Sequence, residues 1–241
     1  MLPRANEPRQ KGVGLLPIVQ ALRGHPQAHA LIPHSLQHYL TSKVLPSAWY
    51  PELHCEELLD VLARTLESKG TTRDVWSFFG RVAAQRDLAG MQHEVSPPAR
   101  IDSAGVYRKI GTASEVDVAG LFLRASKLWQ LYHDTGEMLF ARSPLSDCSV
   151  VTRLVGFRFV NRGALALHAE YMVEYGRLAG IKLRARVTRS TFDGATCCEW
   201  SYTTEPTEHN IAALHALPPL DDSWPTQASI ARSPSLQPRK R

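Results

Sequence analysis

Apolar residues recur along the first 130 positions at three- and four-residue spacing and after that alternate with polar ones, a change of period that predicts helices first and strands later. In "GLLPIVQALRG" Leu15, Leu16, Val19 and Leu22 share a helical face that Gly24 closes. After "HPQAHALIPHSLQHYL", cut by Pro26 and Pro33, a second short helix passes through Leu36 and Leu40. "YPELHCEELLDVLARTLESKG" opens with Pro51 at a first helical position, carries Cys55, Leu58, Leu59, Leu62 and Leu66 on one face, and ends at Gly70. "TTRDVWSFFGRVAAQRDLAG" repeats the logic, with Thr71 or Thr72 as cap, Asp74 in the first turn, and Val75, Trp76, Phe79, Val82 and Ala83 as the buried stripe. So short a turn predicts that these two helices pack antiparallel.

Residues 91–116 are rich in Ser, Pro, Gly and charge and read as a loop. The helical period returns from Val118 through Phe122, Ala125, Trp129 and Tyr132. "EMLFA" and "CSVVTRLVGFRF" then form a hairpin around Pro144, Ser146 and Asp147. Asn161 caps a helix whose Leu167, Tyr171, Tyr175 and Leu178 share a face before Gly180. "IKLRARVTRS" alternates Ile181, Leu183, Ala185 and Val187 against Lys182, Arg184 and Arg186, and pairs with "ATCCEWSY" across Asp193 and Gly194.

The expected fold class is α+β, with N-terminal helices packed on a small, mostly antiparallel sheet of about four strands that one long helix covers. The expected organisation is a disordered start over 1–10, one ligand-binding-like domain over 11–203 (helical part 11–134, sheet part 136–203), and a mostly disordered tail over 204–241 with a weak helix near "IAALHAL".

Composition narrows the function without naming it. With 241 residues, 44% hydrophobic and 21% charged, the chain is an ordinary globular one, and no apolar run approaches the ~20 residues of a membrane span. The polar start "MLPRANEPRQKG" lacks the apolar region of a secretory signal, so the expected location is cytoplasmic. The net charge of +5 is spread along the chain rather than clustered, which argues against nucleic acid as a partner. Cys55, Cys148, Cys197 and Cys198 have no CxxC or zinc-ribbon spacing and read as reduced thiols.

Candidate chemistry is sparse. His25 with His29, and His34 with His38, have the four-residue spacing of metal ligands, but the prolines and the lack of further ligands make them surface or turn histidines, and no metal is expected. A thiolate at Cys197 or Cys198 would be favoured by Arg186 or Arg189, yet adjacent strand residues face opposite ways, which buries one of the pair. The comb of Lys182, Arg184 and Arg186 reads as a solvated sheet face. No GxGxxG, GxxxxGK[ST], GxSxG or HExxH occurs, so no catalytic residue is assigned. Aromatic residues exceed what a small core needs, and Trp76, Phe79, Trp129, Tyr132, His133, Tyr171, Tyr175 and Trp200 are the candidate lining of an apolar ligand pocket between helices and sheet. In "LWQLYHDTGEMLF" His133 sits at the C-terminal end of a helix dipole, Gly136 supplies a left-handed residue and Asp134 bonds within the turn.

The succession "KGVGLLPIVQAL", "VLPSAWYP", "DLAG", "LWQLYHDTGEM", "LVGF" and "FDGATCCEWSY" resembles a family of myxobacterial and related deltaproteobacterial domains, a Myxococcus paralogous family, over roughly residues 11 to 204. That family is similar to the 4-vinyl-reductase small-molecule-binding domain and to the haem-nitric-oxide/oxygen-binding fold. The resemblance implies a sensory or carrier domain for an apolar ligand. Two departures from the pattern matter. Thr188 and Ser190 stand where family members often carry a further cysteine, and the Tyr-x-Ser-x-Arg signature that holds haem propionates is missing, with no histidine in a matching context. The expectation is therefore no cofactor, with haem disfavoured. The leading expectation is a non-enzymatic regulatory or sensory domain for a small hydrophobic molecule. A protein-interaction module, with a homodimer allowed, and a cysteine-dependent enzyme using Cys197 or Cys198, or His133 with Asp134, stand as alternatives.

Overall fold

The computed structural model describes residues 7–67, 74–92 and 117–220. In order these are β1 (Arg9–Lys11), α1 (Gly12–Arg23), two 3₁₀ stretches (Pro26–Leu31 and His34–Leu40), β2 (Trp49–Pro51), α2 (Glu52–Glu67), α3 (Val75–Gln92), α4 (Val118–Tyr132), β3 (Glu137–Arg142), β4 (Ser149–Val155), α5 (Gly163–Leu178), β5 (Leu183–Arg189), a 3₁₀ turn (Thr191–Asp193), β6 (Cys198–Thr204) and α6 (Glu208–His215). The class is α+β. The Thr71 or Thr72 cap, the Gly70 stop and the loop over 93–116 lie outside the described residues; Met91 and Gln92, expected in that loop, continue α3. No described helix is long and apolar enough to cross a membrane.

The main sheet runs β3-β4-β6-β5 with every neighbour antiparallel. Alternation sends Met138, Val150, Leu154, Cys198, Trp200 and Tyr202 to one face, where they join the main apolar core. Helix α5 lies against that face, and Trp200 Nε1 donates to the Leu165 carbonyl at 3.1 Å. Val187, expected on the same face, is 38% exposed, because a register shift between Val187 and Arg189 turns the end of this edge strand outward.

Helix α3 packs principally along α5. Gly80 makes that possible, since a Cβ there would land on the Leu167 carbonyl oxygen. Arg81 to Glu170 (2.9 Å) and Gln85 to Glu174 (2.7 Å) stitch the seam. Asp117 caps α4 by accepting from Gly120 N at 2.7 Å, and Asn161 Oδ1 accepts from Gly163 N at 2.8 Å to open α5, as expected of an asparagine there. The short helix expected through Leu36 and Leu40 is a 3₁₀ stretch that follows Pro33 at its cap.

The first and last described segments are more ordered than their composition suggests. Arg9–Lys11 pairs with Trp49–Pro51, and Gln10 bridges to His133. Beyond Thr204, Thr207 caps α6, Leu214 is fully buried, and Arg142 N donates to the Pro218 carbonyl at 2.8 Å. A segment with few apolar residues is held here by backbone pairing, which leaves no mark on hydropathy.

Candidate ligand cavity

Pro17 lies inside α1 and has no N–H for the carbonyl of Val13. The guanidinium of Arg86, on α3, fills that gap, its Nη1 donating to the Val13 oxygen at 2.6 Å. Arg86 also bonds Asp87 Oδ1 (2.9 Å), and Asp87 Oδ2 accepts from the Tyr171 hydroxyl (3.0 Å). This satisfied network forms one part of the wall of a cavity enclosed by α1 to α5, with Met138 and Phe159 closing its side. The space open to the centres of water-sized molecules is about 140 Å³. That is close to the roughly 150 Å³ of an engineered apolar cavity that takes benzene.

A second part of the wall is not satisfied. Glu52 and Glu56 stand four residues apart on α2, which puts both carboxyls on the face that also carries Cys55 and Leu59. Both residues are buried, at 8% and 5% exposure. Glu56 Oε2 accepts from Val160 N (2.9 Å) and Asn161 N (2.6 Å), whereas its Oε1 has no hydrogen-bond partner among the described residues. Burial pushes its pKa up to about 8, and Glu52 adds to the rise against the two backbone donors. Glu52 Oε2 and His133 Nδ1 lie 3.2 Å apart, close enough to pair when the imidazole is protonated but not aligned for a hydrogen bond.

His133 stacks on Trp129, with ring centroids 3.7 Å apart and planes at 6°. Behind them lies His168 on α5, packed among Trp129 (5.3 Å), Phe159 (5.0 Å) and Trp200 (6.1 Å). Burial, with a smaller contribution from His133, holds its pKa down at about 3, so the ring is neutral. Neither ring nitrogen of His168 has a hydrogen-bond partner among the described residues. A neutral imidazole with free nitrogens is the donor type that holds haem iron or another soft-to-borderline metal.

Six of the eight expected lining residues, Trp76, Phe79, Trp129, Tyr132, His133 and Tyr171, face this cavity. Tyr175 and Trp200 do not. Tyr175 is one helical turn beyond Tyr171, stacked on it at 5.8 Å, and Trp200 lies beneath α5 in the centre of the sheet. The cavity accordingly sits among helices rather than against the sheet, because α5 already covers the sheet's inner face. Asp134 also departs from expectation. It bonds Arg9, accepting from its N (2.7 Å) and Nε (2.6 Å), instead of closing its own turn. Gly136 has the expected left-handed conformation, with φ 76°.

Cys197 and Cys198 are both buried, at 2% and 1% exposure, where alternation on the strand required burial of only one. The outer face is covered at that point as well as the inner one, and burial pushes the Cys197 thiol up despite Arg153 and Arg189. His29 and His38 bond the carbonyls of Leu22 (3.2 Å) and Ser35 (2.8 Å), and no group of three metal-ligating side chains occurs among the described residues. Arg184 and Arg186 are exposed on β5.

Three features escaped the sequence reading. Glu56 sits between Cys55 and Leu59 within an apolar stripe, and Glu52 is one turn before it. His168 is three residues before Tyr171 and four before Met172, on the same side of α5. The Arg86–Asp87 pair follows Val82 and Ala83. Helical spacing signals all three, once a polar residue inside a stripe is taken as a feature rather than an exception.

No family model matches the chain, and no curated protein matches it. Solved structures do. An H-NOX protein from S. oneidensis in the Fe(II)NO ligation state aligns at 14% identity and TM-score 0.49, over 81% of this chain and 99% of that one. An oxygen-binding H-NOX domain related to soluble guanylate cyclases aligns at 10% identity and TM-score 0.49, over 81% and 95%. A structure described under "Modulating Heme Redox Potential Through Protein-Induced Porphyrin Distortion" aligns at 9% identity and TM-score 0.49, over 81% and 99%. The expectation of no cofactor, with haem disfavoured, is corrected by this finding: the solved structures similar to this chain are of H-NOX proteins, and one is described by its haem. The absence of a suitable histidine, on which that expectation leaned, fails separately, since His133 and His168 both line the cavity.

Proposed function

We propose that this chain is a non-enzymatic sensory domain that binds a small, largely apolar molecule in the cavity among α1 to α5. The observation that carries the reading is an aromatic-walled cavity lined also by Glu52, Glu56 and His133, each of which holds a buried polar atom without a hydrogen-bond partner. A buried polar atom left unpaired costs about 1–3 kcal/mol, a cost that a ligand supplying the missing partner removes. Native mass spectrometry of protein purified from its own host, followed by solvent extraction, tests it. A bound organic molecule is expected, with a ligand at a hundred times its Kd adding about 2.7 kcal/mol of stability. Protein that carries nothing, and whose Tm no apolar compound raises, would rule the reading out.

A second reading has haem as the occupant, which the neutral imidazole of His168 favours but which requires the helices to separate, because about 140 Å³ takes one six-membered ring and not a porphyrin. If haem were bound, His168 would be the residue to hold it, and its iron would supply a site for a gas ligand. Titration with haemin distinguishes the two, because only this reading expects a sharp Soret band that His168→Ala abolishes.

A further inference from the structure

Within the small-molecule reading, we infer that the occupant is a small aromatic amine, its ammonium held between Glu52 and Glu56 and its ring lying among Trp76, Phe79, Trp129 and Tyr132. The inference rests on that reading and adds the class of ligand.

Three observations carry it. The first is charge. Of the ionisable groups around the cavity, Arg86 is already paired with Asp87 at 2.9 Å, and Lys11 is turned over the Trp49 ring at 5.6 Å. Two carboxyls on one face of α2 therefore share the cavity with two imidazoles, of which His168 is neutral and His133 is stacked on Trp129 and not aligned with Glu52. No cationic side chain among the described residues is free to pair with them, and Glu56 keeps a proton up to about pH 8, a proton that an arriving ammonium would displace to solvent. The second is hydrogen bonding. The oxygens without partners, Glu52 Oε2 and Glu56 Oε1, accept from an N–H donor when ionised, and an ammonium carries three such donors. The third is the wall, since indole and phenol faces next to a carboxyl pair attract a cation further. A space of about 140 Å³ limits the guest to roughly one six-membered ring with a short arm.

A neutral hydrocarbon would fill the space but leave both oxygens unpaired. An anion would meet the carboxyls directly. Only a cation with an apolar body answers the acceptors and the wall together.

The test uses the full chain and three probes of nearly equal size: benzylamine, benzyl alcohol and toluene, each followed by isothermal titration and by thermal shift. Benzylamine is expected to bind at least about tenfold more tightly than toluene, with benzyl alcohol between them. Glu56→Gln keeps the acceptor for the Val160 and Asn161 N–H groups and so preserves the fold. It is expected to remove most of the tenfold preference and to leave toluene binding unchanged, and Glu52→Gln is expected to do the same. If toluene binds as tightly as benzylamine, or both variants keep the preference, the amine assignment is overturned while the cavity remains a small-molecule site. If none of the three probes binds, the amine assignment is overturned together with the aromatic-ligand reading of the cavity.

Discussion

Charge is buried in two places in this molecule, and the two are built differently. On the outer side of the sheet, Glu199 accepts from Arg153 through Nε (2.9 Å) and Nη2 (2.8 Å) and from the Thr188 hydroxyl (2.8 Å), with Arg189 at 3.6 Å. On α2, Glu52 and Glu56 are as deeply buried, yet each keeps an oxygen without a partner. Neighbouring strands hold β-sheet pairs in fixed register, Arg153 opposite Glu199, so the partner is supplied by the fold itself. The α2 carboxyls border the cavity, and the fold meets only part of what they need: Val160 N and Asn161 N reach one oxygen of Glu56, and His133 comes within 3.2 Å of Glu52 without aligning. A satisfied buried pair specifies structure, whereas an unsatisfied one stores free energy that a ligand can release.

Breaking the satisfied pair should give the largest effect. Arg153→Met leaves Glu199 buried with only Thr188 and the more distant Arg189, and should destabilise the protein by about 3–5 kcal/mol, read as a fall in the urea midpoint at constant slope. A loss below about 1 kcal/mol would mean that water reaches this face and that the two sites differ less than their geometry indicates.

The unsatisfied site should show itself through pH. Glu56 has a folded pKa of about 8, above its ordinary value of 4.5, so the folded protein retains a proton that the unfolded chain has lost. Stability from this group is full below pH 4.5 and is lost as pH rises toward 8. His168, held at about 3, acts in the opposite sense. The unfolded chain takes up its proton near the ordinary 6.5, so stability is lost as pH falls from there toward 3. The two slopes oppose each other between pH 4.5 and 6.5, leaving a decline above 6.5 that belongs to Glu56. Its steepness is at most about 1.4 kcal/mol per pH unit. Glu56→Gln should flatten the curve between pH 6.5 and 8 by about 1–2 kcal/mol in total. His168→Gln should instead flatten the acid side, and guanidine titrations at six or seven pH values separate the two variants. An unchanged alkaline decline in Glu56→Gln would assign that slope to another group.

How much of this was legible beforehand differs between the regions. The closing hairpin was, because Leu183 and Ala185 alternate with Lys182, Arg184 and Arg186, and Trp200 and Tyr202 with Glu199, Ser201 and Thr203, and a period of two has only one structural meaning. The helical stripes were legible for the same reason, and they brought six aromatic or imidazole side chains to one cavity. Of the polar groups that give the cavity its chemistry, His133 was read, whereas Glu52, Glu56 and His168 were not. Glu56 and His168 fall within or beside apolar stripes, but a polar residue there reads as an exception to the pattern until the packing of α2 and α5 against other helices removes it from water. The strap formed by Arg9–Lys11 was also illegible, because it is held by backbone pairing with Trp49–Pro51 and by Asp134, neither of which depends on side-chain hydropathy.

Asp134 completes the comparison as the exposed counterpart of the two buried sites. Its pair with Arg9 is short, at 2.6 Å, but Arg9 is 44% exposed, so water and salt screen the attraction. Asp134→Asn keeps an acceptor for Arg9 N and removes only the charge, and should cost about 0.5 kcal/mol in low salt and nothing measurable near 1 M. The same variant has a second use. The strap also pairs Gln10 with His133, and Gln10 and Lys11 line the cavity, so loosening it should speed ligand exchange without altering the pH dependence assigned to Glu56. A salt-independent loss above about 1.5 kcal/mol would show instead that the Arg9 pair is effectively buried and belongs with the sheet pair, and the contrast between the paired and unpaired sites would then extend across the mouth of the cavity.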